Sequence, residues 1–330
     1  MMRWALIGAS TIAGEWMIGA IRAVGDEVVA VVSSDMARAQ AFAKKHGIAH
    51  ACDKESDLIT LNIQAVYISS TNEKHEAQTM YAASQGWHVL CEKPLATTME
   101  AAERMVRACA DAGVVMGTNH HLRHSSAHLQ MRERIAQGQL GRLVAARVHH
   151  AVYLPSHLQG WRLTDKSAGG GVVMDIAVHN ADSLAFLLGE YPIEVQAMVS
   201  NTGLAKGMED HALSLWRFPS GLIATTHQGF TTPFASVGLE IHGTTGSLKG
   251  DGIMHQKAQG TLTLSTAAGV QNLALDQKNL YERCLDNFHL AVRGQANTLA
   301  DGHAGQRSLA VALAVLESAE KGRAVSVRYC

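Results

Sequence analysis

The chain has 330 residues, 47% of them hydrophobic and 17% charged, with only 5 prolines, the composition of a well-packed globule of about two domains rather than a disordered or fibrous chain. Lys and Arg number 28 against 29 Asp and Glu, a formal net charge of −1, so no basic stripe for a nucleic-acid partner is expected. The longest apolar runs, such as "VVAVV" before Ser33, are strand-sized; no membrane span and no signal peptide is expected, and the expected compartment is the cytoplasm.

The first 118 residues alternate strand and helix patterns. "RWALIGA" reads as a buried strand, "AGEWMIGAIRAV" as an amphipathic helix and "EVVAVVSS" as a second strand. The helix "MARAQAFAKKHG", the strand "QAVYISS", a helix around "KHEAQTMYAASQG", the strand "HVLCEKP", the helix "TMEAAERMVRACADAG" and the strand "VVMGTNH" follow. Apolar strands separated by helices of this length predict a parallel sheet covered on both faces, a doubly wound α/β domain over residues 1–118. From residue 119 to 330 the pattern predicts an α+β domain with a large, mostly antiparallel sheet. Its strands are "LVAARVHHAVYL" and, between Glu194 and Leu275, "EVQAMVSN", "HALSLWRF", "GLIATTHQGF", "GLEIHG", "GSLKGD" and "GTLTLS". A glycine run opens the helix "VVMDIAVHNADSLAFLLG", and two helices near 280–292 and 305–321 close the chain. Such a succession predicts a two-domain enzyme layout with a cleft between the domains. The five cysteines (Cys52, Cys91, Cys109, Cys284 and Cys330) are odd in number and lack CxxC spacing, which predicts free thiols.

The stretch "ALIGASTIAGEW" (5–16) lies between the first strand and the first helix, where a dinucleotide-binding turn carries three glycines. Gly8 meets the first position, Ser10 stands at the second and Ala13 at the third. A methyl group is tolerable at the third, and the Ser10 hydroxyl could donate to a phosphate alongside the helix N-terminus. The second strand ends in Ser33 and Ser34 rather than an acid, with Arg38 four residues on. Hydroxyls and a guanidinium suit a 2′-phosphate, so NADP(H) is the expected cofactor. Asp35 is the competing acid, placed two residues late in the first turn of the next helix.

Three further segments carry chemistry. "CEKPL" (91–95) presents Lys93 at the C-terminal end of a strand, where ligands bind in open α/β sheets. "GGGVVMDIAVHNAD" (169–182) puts Asp175 and His179 at i and i+4 on one helical face. A cation, a carboxylate and a group titrating near neutrality are what carbonyl reduction by hydride requires. Each also has a plain reading, as a surface lysine and a helix-surface pair. "NHHLRH" (119–124) spaces His120 and His124 at i,i+4 without further ligands; no metal is expected, and these histidines are read as lining the cleft or capping the next helix.

The Gly8 turn, "CEKPL", "GTNHHLR" and "GGGVVMDIAVHNAD" together resemble the Gfo/Idh/MocA oxidoreductase family, a Rossmann domain followed by an α+β domain, over essentially the whole chain. The resemblance implies that Lys93 is the catalytic lysine, that His179 is the general acid and that Asp175 orients substrate or His179. It implies a pyrophosphate cradle of Gly8, Ala9, Ser10, Thr11 and Ile12, and a 2′-phosphate pocket of Ser33, Ser34 and Arg38. Ser70, Thr71, Asn72, Glu73, Lys74 and His75 would flank adenosine and nicotinamide riboside. Glu92, Lys93 and Asn119 would lie towards the nicotinamide, with Trp161, Arg162 and Tyr281 closing over the cofactor. Residues 250–276 match the family poorly. The implied activity is NADPH-dependent reduction of the C2 ketone of a cyclic sugar, 1,5-anhydro-D-fructose, to 1,5-anhydro-D-mannitol. The alternatives are another sugar or cyclitol dehydrogenase of the family, a nicotinamide-using glycosidase or isomerase, and a non-catalytic NADP-sensing regulator. The implied partner is a small sugar, with the chain a monomer or a homo-oligomer through its C-terminal sheet.

Overall fold

The computed structural model describes residues 1–329, so Cys330 lies outside the described residues. The first part of the chain runs through β1 (Arg3–Ile7), a π turn (Ala13–Met17) continuing into α1 (Ile18–Ala23), β2 (Glu27–Val32), α2 (Met36–His46), β3 (His50–Cys52), β4 (Ala65–Ile68), α3 (His75–Ser84), β5 (His88–Cys91), α4 (Met99–Asp111) and β6 (Met116–Thr118). It continues through α5 (Ser126–Ala136), β7 (Leu143–Ala151), α6 (Gly160–Thr164) and a second π turn (Val173–Ala177) leading into α7 (Val178–Leu188). The strands β8 (Glu194–Ser200), β9 (His211–Arg217), β10 (Ile223–Gly229), β11 (Gly238–Gly243), β12 (Gly246–Asp251), β13 (Thr261–Thr266) and β14 (Gly269–Leu273) follow, then α8 (Leu280–Val292), α9 (Gly302–Lys321) and β15 (Val325–Ser326).

The chain divides into two compact units, one of Met1–His120 with Tyr281–Gln306, the other of His121–Leu280 with the residues from Arg307 on. A single cut after Thr118 therefore misses the return of α8 to the first unit. Specific packing holds it there. Trp4 meets Phe288 at 5.4 Å between ring centroids, Trp16 stacks on Tyr281 at 5.8 Å, and His289 Nε2 reaches Asp26 Oδ2 at 2.6 Å. The amphipathic pattern of α8 says that one face is buried but not against which sheet.

In the first unit six strands form one sheet in the order β3-β2-β1-β4-β5-β6, every pair parallel. Trp4–Ile7 of β1 and all four residues of β4 are buried, as strands covered on both faces require. The order reverses between β1 and β4, which puts the crevice for a ligand at their C-terminal ends.

The second unit holds a nine-stranded sheet in the order β14-β13-β12-β11-β7-β10-β9-β8-β15. All its pairs are antiparallel except β7 with β10, which run parallel. β7 precedes the long helical excursion of α6 and α7, so the chain re-enters the sheet without the constraint of a hairpin. The sheet alternates cleanly: along β9, Ala212, Ser214 and Trp216 are buried while Leu213 and Leu215 are exposed. Residues 178–187 of α7 are buried throughout. β3 and β15 are only three and two residues long, and β14, exposed at its first four positions, shows no apolar alternation. Among the described residues no helix is long and apolar enough to cross a membrane.

Candidate active site

The turn after β1 is built around Gly8. Its φ is +117°, and a Cβ there would stand 2.7 Å from the Ser70 amide nitrogen and 2.8 Å from the Ser69 carbonyl carbon. Glycine is required twice over, for the backbone conformation and for the approach of the β1 and β4 ends. Ser10 Oγ accepts from the Ala13 amide at 3.2 Å and lies 2.7 Å from Ser69 Oγ. Its hydroxyl thus caps the helix start and ties the turn to the end of β4. Ala9 and Ala13 are buried, while Thr11 is exposed and Ile12 half-buried in the first helical turn. The cradle left by Gly8 at a helix N-terminus fits a dinucleotide pyrophosphate.

At the end of β2, Ser33 is half-buried and Ser34 exposed. Asp35 is the N-cap of α2, not a residue of its first turn; its carboxylate accepts from the Arg38 amide at 3.2 Å. That orientation engages the Asp35 carboxylate in capping. The Arg38 side chain, though exposed, is directed to the turn: Nη2 donates to the Ala9 carbonyl at 2.8 Å.

Beyond β4, Ser70 Oγ donates to Gln78 Oε1 at 2.6 Å and Thr71 Oγ1 to Glu73 Oε1 at 2.6 Å. Asn72 is buried and Lys74 exposed. His75 is fully buried, with ring nitrogens facing the carbonyl oxygens of Ser70, Pro94 and Leu95. After β5, the buried Glu92 accepts from Tyr67 Oη and, at 2.6 Å, from Asn119 Nδ2. Burial pushes the Glu92 carboxyl above the usual carboxylate range. Asn119 is fully buried, and Cys284 Sγ lies 3.8 Å from its Oδ1. Tyr281 is fully buried against Trp16. Glu92 and Asn119, expected towards the nicotinamide, are hydrogen-bonded to each other, and Tyr281 is buried beside Trp16. Lys93, between Glu92 and Pro94, is half-buried.

In the second unit, Gly171 has φ +103°, and a Cβ there would collide with the Glu209 carboxylate. The space matters because Glu209 Oε1 accepts from the Val173 amide at 3.1 Å and so caps the helix that carries the catalytic candidates. Asp175 lies within the π turn and His179 in the first turn of α7; such turns recur at functional sites because they re-aim side chains. Asp175 Oδ2 is 3.5 Å from Arg162 Nε, and that guanidinium sits 4.8 Å above the Trp161 ring. Arg162, expected over the cofactor, is paired with the Asp175 carboxylate.

His179 is buried between two imidazoles that the motif reading did not assign to it, His121 at 5.3 Å and His150 at 5.8 Å between centroids. His150 Nδ1 is 3.2 Å from Asn180 Oδ1. The signals in the sequence were "NHHLRH" and the His149-His150 doublet in β7. The cap of α5 is Ser125, whose Oγ accepts from the His128 amide at 3.1 Å, and not one of those histidines. Arg123 of the same stretch forms a buried bidentate pair with Asp182. Among the described residues no three His, Cys, Asp or Glu side chains are grouped to hold a metal ion.

Residues 2–120 match the oxidoreductase family with an NAD-binding Rossmann fold, and residues 128–249 match the GFO/IDH/MocA C-terminal domain. The 1,5-anhydro-D-fructose reductase of Ensifer adhaerens is 52% identical over 329 residues, covering 99% of each chain. The D-xylose 1-dehydrogenase (NADP(+)) 2 of Haloferax volcanii is 28% identical over 329 residues, 99% of this chain and 100% of that one. Among solved structures, the aldose-aldose oxidoreductase of Caulobacter crescentus superposes with a TM-score of 0.90 at 23% identity, covering 98% of this chain and 99% of that one. Levoglucosan dehydrogenase in complex with NADH gives 0.87 at 22% identity with both chains fully covered. These two share the fold. With both domain types matched and the full-length identity above, the chain belongs to the Gfo/Idh/MocA family of NAD(P)-dependent oxidoreductases.

Proposed function

We propose that the chain reduces the C2 ketone of 1,5-anhydro-D-fructose to 1,5-anhydro-D-mannitol, with NADPH as the reductant. The observation that carries this reading is the 52% full-length identity to the Ensifer adhaerens reductase. NADPH, when bound, supplies the hydride to C2. The chain supplies the rest. As charge builds on O2, the Lys93 ammonium stabilises it. The His179 imidazolium gives its proton to O2 and is left neutral, completing the secondary alcohol. Asp175, steadied by Arg162, orients the substrate or His179. The preference for NADPH is supported by the absence of an acid at the end of β2, by the capping role of Asp35 and by the reach of Arg38 to the Ala9 carbonyl. A 2′-phosphate would meet hydroxyls and a guanidinium there instead of a repelling carboxylate.

The test is steady-state turnover of 1,5-anhydrofructose, glucosone, inositol and D-xylose, each with the matching phosphorylated and unphosphorylated nicotinamide. The expected outcome is fastest oxidation of NADPH on 1,5-anhydrofructose, with anhydromannitol as the product. No ketose turnover with NADPH would refute the reading; oxidation of D-xylose with NADP⁺ would favour the aldose dehydrogenases.

A further inference from the structure

His75 is the one ionisable side chain of the 70–75 segment that is wholly buried; its exposure is 0%. It lies at the start of α3, yet its ring serves two loops. Nδ1 stands 3.1 Å from the Pro94 carbonyl oxygen and 3.3 Å from that of Leu95, in the turn that carries Lys93. Nε2 stands 3.2 Å from the carbonyl oxygen of Ser70, in the loop after β4. On the other side of Lys93, Glu92 is anchored below the sheet ends by Tyr67 and Asn119. The residues flanking Lys93 are therefore held on both sides, by a side chain before it and by backbone carbonyls after it.

We propose that His75 is a positioning residue for Lys93, clamping the 93–95 turn through an Nδ1–H donor rather than contacting the cofactor. This rests on Lys93 being the lysine that meets the substrate. Carbonyl oxygens only accept hydrogen bonds, and a neutral imidazole carries one N–H. Burial pushes the His75 pKa down, which keeps the ring neutral. The single proton belongs on Nδ1, where two acceptors converge, and that is the side of the Lys93 turn. Displacing a catalytic group by about 1 Å costs on the order of 10²-fold in rate, so a clamp one residue away bears on turnover without touching substrate.

The experiment uses the two amides that divide the ring's functions. His75→Asn keeps a donor near the Nδ1 position and His75→Gln keeps one near Nε2. Both put an amide in the same buried place, so a role limited to filling space would treat them alike. In the NADPH-dependent reduction of 1,5-anhydrofructose, kcat of His75→Gln is expected to fall on the order of 10²-fold, with His75→Asn keeping about ten times more. The Kd of NADPH, read from its fluorescence on binding, is expected to stay within roughly 3-fold of wild type, about 0.65 kcal/mol. Equal kcat in the two variants would overturn the clamp, as would a loss confined to NADPH affinity, which would return His75 to the cofactor site. A wild-type protein that does not turn over the ketone would be a failure of the proposed function instead. In that case, or if the variants do not fold, two-bond ¹H–¹⁵N spectra of ¹⁵N-histidine-labelled wild type decide: a His75 proton on Nδ1 supports the clamp, and one on Nε2 alone overturns it.

Discussion

Ser33 occupies the place where an NAD-preferring Rossmann unit puts an acid. Asp35 accepts the Arg38 amide, and the Arg38 side chain is drawn over the turn to Ala9. The Asp35 carboxylate is thus spent on a helix start, and the Arg38 guanidinium faces the turn. Introducing a carboxylate at this half-buried position would set like charge against a 2′-phosphate and offer a ribose hydroxyl an acceptor. Ser33→Asp is expected to move the ratio of kcat/KM for NADPH over NADH towards NADH by at least about tenfold, or 1.4 kcal/mol. An unmoved ratio would remove Ser33 from the pocket. Gly8, Lys93, Asp175 and His179 could be picked out from the sequence because each stands in a short local pattern. The partnership of Ser10 with Ser69 could not, since it joins residues 59 apart through strand order.

At the scale of elements, the helices of the second unit owe their starts to residues that are distant or unremarkable in sequence. The helix carrying Asp175 begins under the Glu209 carboxylate, which reaches it from 36 residues away. In α5 the cap is local, and Ser125 Oγ also lies 2.7 Å from Nδ1 of the fully buried His128. Burial pushes the His128 pKa down to about 4. The unfolded chain, with a histidine near 6.5, binds this proton first as the pH falls. Stability from this group is therefore complete above about pH 6.5, is lost between there and about pH 4, and is flat below. At about 1.4 kcal/mol per pH unit, the loss across that window is a few kcal/mol. In urea unfolding at pH 7, 6 and 5, His128→Gln is expected to show a shallower decline than wild type. An identical slope would show that His128 does not titrate on unfolding.

For the molecule as a whole, the four described cysteines are buried and unpaired, and burial raises every one of their thiols, Cys109 and Cys284 to about 12. A thiol reacts as its thiolate, so native protein in a Cys330→Ser background is expected to give no thiol reactive towards a disulfide reagent at pH 7.5, and four after denaturation. Rapid labelling of a native thiol would contradict this packing. The expectation of free thiols came from the number and spacing of the cysteines; their depth came from the two cores. The parallel sheet, the large antiparallel sheet and the segments bearing Lys93, Asp175 and His179 were set by local sequence, because strand and helix periods and turn glycines act within a few residues. Tertiary structure alone decided the rest: the return of residues 281–306 to the first unit, the parallel pairing of β7 with β10, and the burial of Glu92, Asn119 and Tyr281. It also brought His75 to the Lys93 turn and His121 and His150 to His179. These contacts depend on which strand lies beside which and which helix covers it, and packing chooses among such pairings by buried area and hydrogen-bond partners that no short stretch of chain contains.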